Sequence, residues 1–145
     1  MRITPGMDIP KKNPNPPDQY LAATFAREST WQANVNKTFA DAPNFWRCYH
    51  THRSDSSPEG FPDLHCVCPS AQVTLYAELK TESGTVTDLQ KAWLLDCAEV
   101  TPFVYVWRPS DGDEIVEALH DVWERSLTLR EESSYAIRQA EEQLD

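Results

Sequence analysis

Residues 103–109, FVYVWRP, open with five apolar residues in a row and close on Arg108 and a proline, and no other feature of the chain constrains its fold as strongly. A strand with one face in water alternates polar and apolar side chains, so a run without alternation needs cover on both faces, as in a sheet flanked by crossover helices. A helix signal stands just before it. Residues 82–100, ESGTVTDLQKAWLLDCAEV, supply a turn at Gly84, a Thr87-x-x-Gln90 capping box, and apolar Leu89, Trp93, Leu94 and Cys97 on one helical face. Ahead of that helix, residues 73–81, VTLYAELKT, alternate: Val73, Leu75, Ala77 and Leu79 share one face, and Thr74, Tyr76, Glu78 and Lys80 the other. Strand, helix and strand therefore form a crossover whose last strand returns parallel to the first.

The rest of the chain builds outward from that unit. DLHCVC, residues 63–68, is joined to the alternating strand by PSAQ, which reads as an antiparallel hairpin. FWRCYH, residues 45–50, reads as a further strand, followed by the turn-rich SDSSPEGFP. Over residues 19–39, Leu21, Phe25, Trp31, Val35 and Phe39 recur at helical spacing. SDGDEIVEALHDVW, from Ser110, opens with acids in its first turn and begins another helix; past Ser126 only Leu127, Leu129, Tyr135 and Ile137 could anchor it, so an exposed helix or a frayed tail is expected. The first seventeen residues hold five prolines and the pair Lys11 and Lys12, which suits an extended arm rather than packed structure. The expected order is helix, strand, two-stranded hairpin, helix, strand, helix. That is an α/β fold with a mixed central sheet, divided into an arm (1–18), a single domain (19–125) and an acidic helical tail (126–145).

Charge is distributed unevenly. The formal charge of −10 would count against a nucleic-acid partner, yet residues 110–145 carry eleven acids and three bases, leaving the body at only −2. Acids that hold a divalent cation are neutralised by it, so the acidity does not exclude a phosphodiester substrate. Without an apolar run long enough to span a bilayer or to serve as a leader, the expectation is a soluble, cytoplasmic protein with no membrane role. Cys48, Cys66, Cys68 and Cys97 are accordingly expected as reduced thiols.

The hairpin brings Asp63, Glu78 and Lys80 to one sheet edge. Two carboxylates held together suit Mg²⁺ or Mn²⁺, and a lysine beside them suits a role in orienting or deprotonating a water. GFPDL, AELK, SGTVTDLQKAW and VYVWRP together resemble the PD-(D/E)xK nuclease superfamily, and within it the small stand-alone VRR-NUC domains of phages and bacteria, over residues 28–119. The resemblance implies a restriction-endonuclease-like core of order α-β-β-β-α-β, with the acidic C-terminal helix added. It implies a metal-dependent endonuclease in which Asp63, Glu78 and the Leu79 carbonyl bind the metal and Lys80 assists the nucleophilic water. Glu28 matches the acid on the family's first helix, Gln90 the glutamine after the ExK strand, and His50 the end of the strand before the loop. It further implies cleavage of branched DNA, notably four-way (Holliday) junctions, by a homodimer in a bacterial cell or phage-infected host. Symmetric incision needs two equivalent sites, and this chain supplies one.

Each assignment has a plainer rival. Glu78 and Lys80 suit a surface ion pair, Asp63 a turn, Gln90 a helix cap, and Glu28 a solvated first-turn acid. Arg53, Ser54, Ser56 and Arg108 are candidates to hold substrate phosphates, against an ordinary polar loop. Cys48, His50, His52, His65, Cys66 and Cys68 also form a mixed set of zinc-ligand types, but Cys-x-Cys and His-x-His within strands lack the knuckle spacing of structural zinc. Two other classes therefore stand beside the junction resolvase: a flap, nicking or duplex endonuclease of the same fold, and a non-catalytic DNA-binding or zinc-stabilised interaction protein.

Overall fold

A computed structural model describes residues 1–17, 28–51 and 58–144. Its elements run α1 (Glu28–Ala40), β1 (Arg47–His50), β2 (Leu64–Cys68), β3 (Val73–Leu79), α2 (Asp88–Val100), β4 (Val104–Trp107) and α3 (Gly112–Leu144). The strands lie in the order β1-β2-β3-β4, with β1-β2 and β2-β3 antiparallel and β3-β4 parallel. The chain is thus α/β with a four-stranded mixed sheet.

The apolar run at 103–109 behaves as its pattern requires, since all four β4 residues are buried. Tyr105 and Trp107 join one core with Leu64, Cys66, Leu75 and Leu79 from the sheet, Trp31, Val35 and Phe39 from α1, and Ile115, Leu119 and Val122 from α3. Val104 and Val106 face the other core, built from Val86, Leu94, Cys97 and Ala98 on the α2 side. Helices therefore cover both faces of the β3-β4 half, which is where the apolar pattern loses its alternation.

Several expectations need correction. The proline-rich arm is extended, but it is packed: Ile3 and Ile9 are buried in the α2-side core. The Ile3 amide donates to the Val104 carbonyl and the Val106 amide to the Met1 carbonyl, so the arm runs along the outer edge of β4 and satisfies it. Prolines stop regular pairing without preventing Ile3, ahead of them, and Ile9, between Pro5 and Pro10, from docking. The cysteines also differ from expectation, because Cys48 and Cys66 are disulfide-bonded while Cys68 and Cys97 are free and buried. Antiparallel register is the reason: Cys48 sits directly opposite Cys66, their Cα atoms 4.1 Å apart. Leu89, read as part of the apolar face of α2, is 49% exposed; it lies in the helix's first turn.

The connection PSAQ is a 3₁₀ turn at Pro69–Ala71 closed by Gln72 in the left-handed region. A second such turn, Pro109–Asp111, precedes α3, which starts at Gly112 rather than at Ser110. α3 then continues as an exposed helix, with residues 131–144 all solvent-exposed. The expected start of the first helix, with Leu21 and Phe25, lies outside the described residues. Among the described residues no helix is long and apolar enough to cross a membrane.

Candidate metal and phosphodiester site

The last paired residues of β2 and β3 are Leu64 and Ala77, so the next step along the hairpin brings Asp63 beside Glu78. Strand alternation puts both on the α2-side face, opposite the face that carries Leu64 and Ala77. Asp63 is fixed twice over. Its Oδ2 accepts from the Leu79 amide at 3.0 Å, and its carbonyl accepts from the Thr51 amide at 2.9 Å. The loop carrying it is seated on α2 through Gly60, whose φ of 87° and contact with Leu89, where a Cβ would lie 2.7 Å from the carbonyl carbon, admit only glycine without rearrangement.

Glu78 is 2% exposed. Its Oε1 accepts from Gln90 Nε2 at 3.1 Å and lies 3.5 Å from Lys80 Nζ, while Oε2 is buried without a hydrogen-bond partner. Burial first, and the neighbouring Asp63 charge second, push the Glu78 carboxyl up to about 9, against a smaller downward pull from Lys80. Such a group is a proton holder when nothing else satisfies it. Gln90 reaches it without giving up its cap: the Thr87 amide donates to Gln90 Oε1, the Gln90 amide donates to Thr87 Oγ1, and Nε2 remains for Glu78. The capping and site readings of Gln90 are therefore one arrangement, in which the cap aims the amide.

Of the other candidates, His50 alone among the described residues shares a groove with Asp63. Glu28 begins α1, but its side chain, like Arg53, Ser54 and Ser56, lies outside the described residues. His50 lines a groove of about 510 Å³ together with Asp63, Thr51, Cys48, Tyr49 and, one helical turn apart on α1, Gln32 and Asn36. Gln32 and Asn36 carried no sequence signal beyond their place on the polar side of a helix. Arg108 is 4% exposed, and its Nη1 donates to the carbonyls of Thr81, Glu82 and Gly84. It braces the loop after β3 instead of presenting its guanidinium to a phosphate. His52 of the zinc-type set lies outside the described residues, and the described ones do not converge: Cys48 and Cys66 are bonded to each other, Cys68 faces the α1-side core, and His65 faces the opposite way, its Nε2 2.9 Å from Thr74 Oγ1.

The Asp63–Glu78 pair fits a hard divalent cation by its chemistry, since it offers carboxylate oxygens, one of them buried and unsatisfied. Among the described residues no three His, Cys, Asp or Glu side chains cluster as a metal group; a cation here would take these two carboxylates, which is compatible with Mg²⁺ because it keeps several waters. Comparison with protein-family models, with curated proteins and with solved structures gave no match.

Proposed function

We propose that the chain is a Mg²⁺- or Mn²⁺-dependent phosphodiesterase acting on DNA, with a nuclease core of the PD-(D/E)xK type and its site at Asp63, Glu78, Lys80 and Gln90. The observation that carries this reading is the unsatisfied, buried Glu78 Oε2 beside a second carboxylate. Burying an acid without satisfying it is costly, and a ligand that completes it explains the arrangement.

When bound there, a divalent cation supplies a more acidic water and offsets charge on the phosphoryl oxygens. The chain's own residues do the rest. The Leu79 amide holds Asp63 in place, and Gln90 holds Glu78 Oε1, so both carboxylates are preorganised. Lys80, less buried than Glu78 and 3.5 Å from Oε1, orients the attacking water. The preferred substrate is a branched DNA such as a four-way junction, cut by a homodimer whose two-fold axis matches that of the junction.

Asp63→Asn and Glu78→Gln should each abolish Mn²⁺-dependent cleavage while circular dichroism shows the fold retained, and Lys80→Ala should lose rate but still bind Mn²⁺ by calorimetry. Wild-type-like cleavage by either carboxylate variant would sink the assignment. For the substrate, junction should be cut at salt concentrations where matched duplex survives; equal cleavage across a salt series would leave only the general nuclease reading.

A further inference from the structure

Sheet alternation extends the face of Asp63 and Glu78 toward the β1 edge. Two residues along from the Asp63–Glu78 row, the paired residues Tyr49, His65 and Tyr76 form the next row on that face, crossing β1, β2 and β3. Two residues at strand rise is about 7 Å. His65 and Tyr76 are stacked, ring centroids 4.3 Å apart and planes inclined by 11°, and Tyr49 is 56% exposed. Phe61 meets Tyr76 and Trp93 edge-on, closing the row on the α2 side. One row further stands Arg47, exposed, with its guanidinium over the Phe45 ring. α2 covers β3 and β4, and Tyr76 packs against its core, so the row runs from that covered side out to the β1 side of the face, where Tyr49 and Arg47 are exposed.

We propose that this row is a stacking platform for unpaired nucleotides next to the scissile phosphate, with Tyr49 and His65 meeting base faces and Arg47 meeting the backbone. The proposal rests on the phosphodiesterase reading and names its substrate class: a strand whose bases are splayed out, as at a branch point or in single-stranded DNA. Three features support this occupant. Aromatic faces accept any base, the row continues directly from the carboxylates, and among the described residues the charge beside the row is the exposed Arg47 rather than the basic stripe that paired duplex recruits. Fully paired duplex keeps its bases inside the stack and cannot use the platform.

The test uses the full chain in chelator, which prevents metal-dependent cleavage, with a short single-stranded oligonucleotide carrying 2-aminopurine and a hairpin duplex of matched length. Wild type should bind the single strand more tightly than the duplex and quench the probe. Tyr49→Ala should weaken single-strand binding by about tenfold, the low-to-middle range for one base–aromatic stack, and leave duplex binding unchanged. Tyr49→Phe should restore the wild-type affinity, and Arg47→Ala should lower the salt slope by about one without changing the preference for unpaired DNA. Tyr135→Ala, which removes an exposed tyrosine from α3, serves as the control and should have no effect. Equal affinity of Tyr49→Ala and wild type for the single strand, or equal losses on both DNAs, would overturn the platform. Mn²⁺-dependent cleavage by the same preparations separates the two readings: cleavage without dependence on Tyr49 removes the platform alone, whereas no cleavage of any DNA by wild type removes both.

Discussion

Replacing Glu78 with glutamine should flatten the pH dependence of stability in the metal-free protein. Glu78 has an ordinary value of 4.5, and burial followed by the Asp63 charge raises it to about 9. An acid held protonated in the fold contributes stability that is complete below its unfolded pKa and is withdrawn as pH rises through the folded one. Across that window the unfolded chain has shed the proton and the folded chain retains it, so each pH unit removes about 1.4 kcal/mol. Between about pH 6 and pH 8 the loss is roughly 3 kcal/mol. At 2% exposure, solvent screening takes little from that figure. Glutamine keeps the shape and can still accept from Gln90 Nε2, but it has no proton to lose. Urea unfolding of wild type and Glu78→Gln in chelator at the two pH values isolates the effect, because groups away from Glu78 titrate alike in both. Wild type should lose roughly 3 kcal/mol more than the variant over the interval. The same slope in both proteins would mean that Glu78 is ionised in the fold, and the reasoning about its orphaned oxygen would fail.

Three further outcomes follow from the packing. Cys48→Ser should lower stability under oxidising conditions by about 3 kcal/mol, because the Cys48–Cys66 bond closes a loop with a sequence separation of 18; denaturant melts that do not move would show that the bond adds nothing. Ile3→Ala should cost about 3 kcal/mol if the arm is part of the core, and a thermal shift near zero would return it to a loose segment. A chain ending at residue 126 should stay folded, since the buried contacts of α3 end at Ser126, and should bind DNA more tightly at low salt, having lost five acids and two bases. Unfolding of that chain in circular dichroism would make the tail structural.

What could be read in the sequence was whatever is periodic or local. The β-α-β unit, the hairpin and the Thr87–Gln90 cap each depend on neighbours a few residues away, and each forms as its pattern requires. What could not be read depends on register and on partners far along the chain. No local rule places Cys48 opposite Cys66, because that pairing follows from where β1 aligns on β2. Nor does composition show that Ile3 and Ile9 dock on a sheet whose last strand begins a hundred residues later. Arg108 had the residue type of a phosphate ligand, and only the fold shows its guanidinium bound to three loop carbonyls. The Asp63, Glu78 and Lys80 set was legible because a hairpin fixes its partners by counting, whereas the Tyr49, His65 and Tyr76 row needed the register of a third strand.

The fold contains its own comparison for the role of Glu78. Glu82, four residues on, is also buried, at 8% exposure. Its Oε2 accepts from Asn13 Nδ2 at 2.7 Å and Ser110 Oγ at 3.1 Å, and its Oε1 accepts from the Ser110 amide at 2.6 Å. Three donors from the arm and the turn before α3 satisfy it, and they make it a clasp between segments distant in sequence. A buried carboxylate with a structural task is completed by the chain in this way. Glu78 is more deeply buried and less satisfied: one amide donor and one lysine share Oε1, no donor reaches Oε2, and Asp63 beside it, by its charge and as an acceptor, favours the protonated carboxyl. The chain could quiet this position with a glutamine or a leucine at no loss to the pairing of β3 with β4, which uses backbone atoms alone. An acid there, beside a second acid and steadied by a capped glutamine, is the feature on which the proposed cation site rests, since a hard cation carrying water would satisfy the open oxygen and offset both charges.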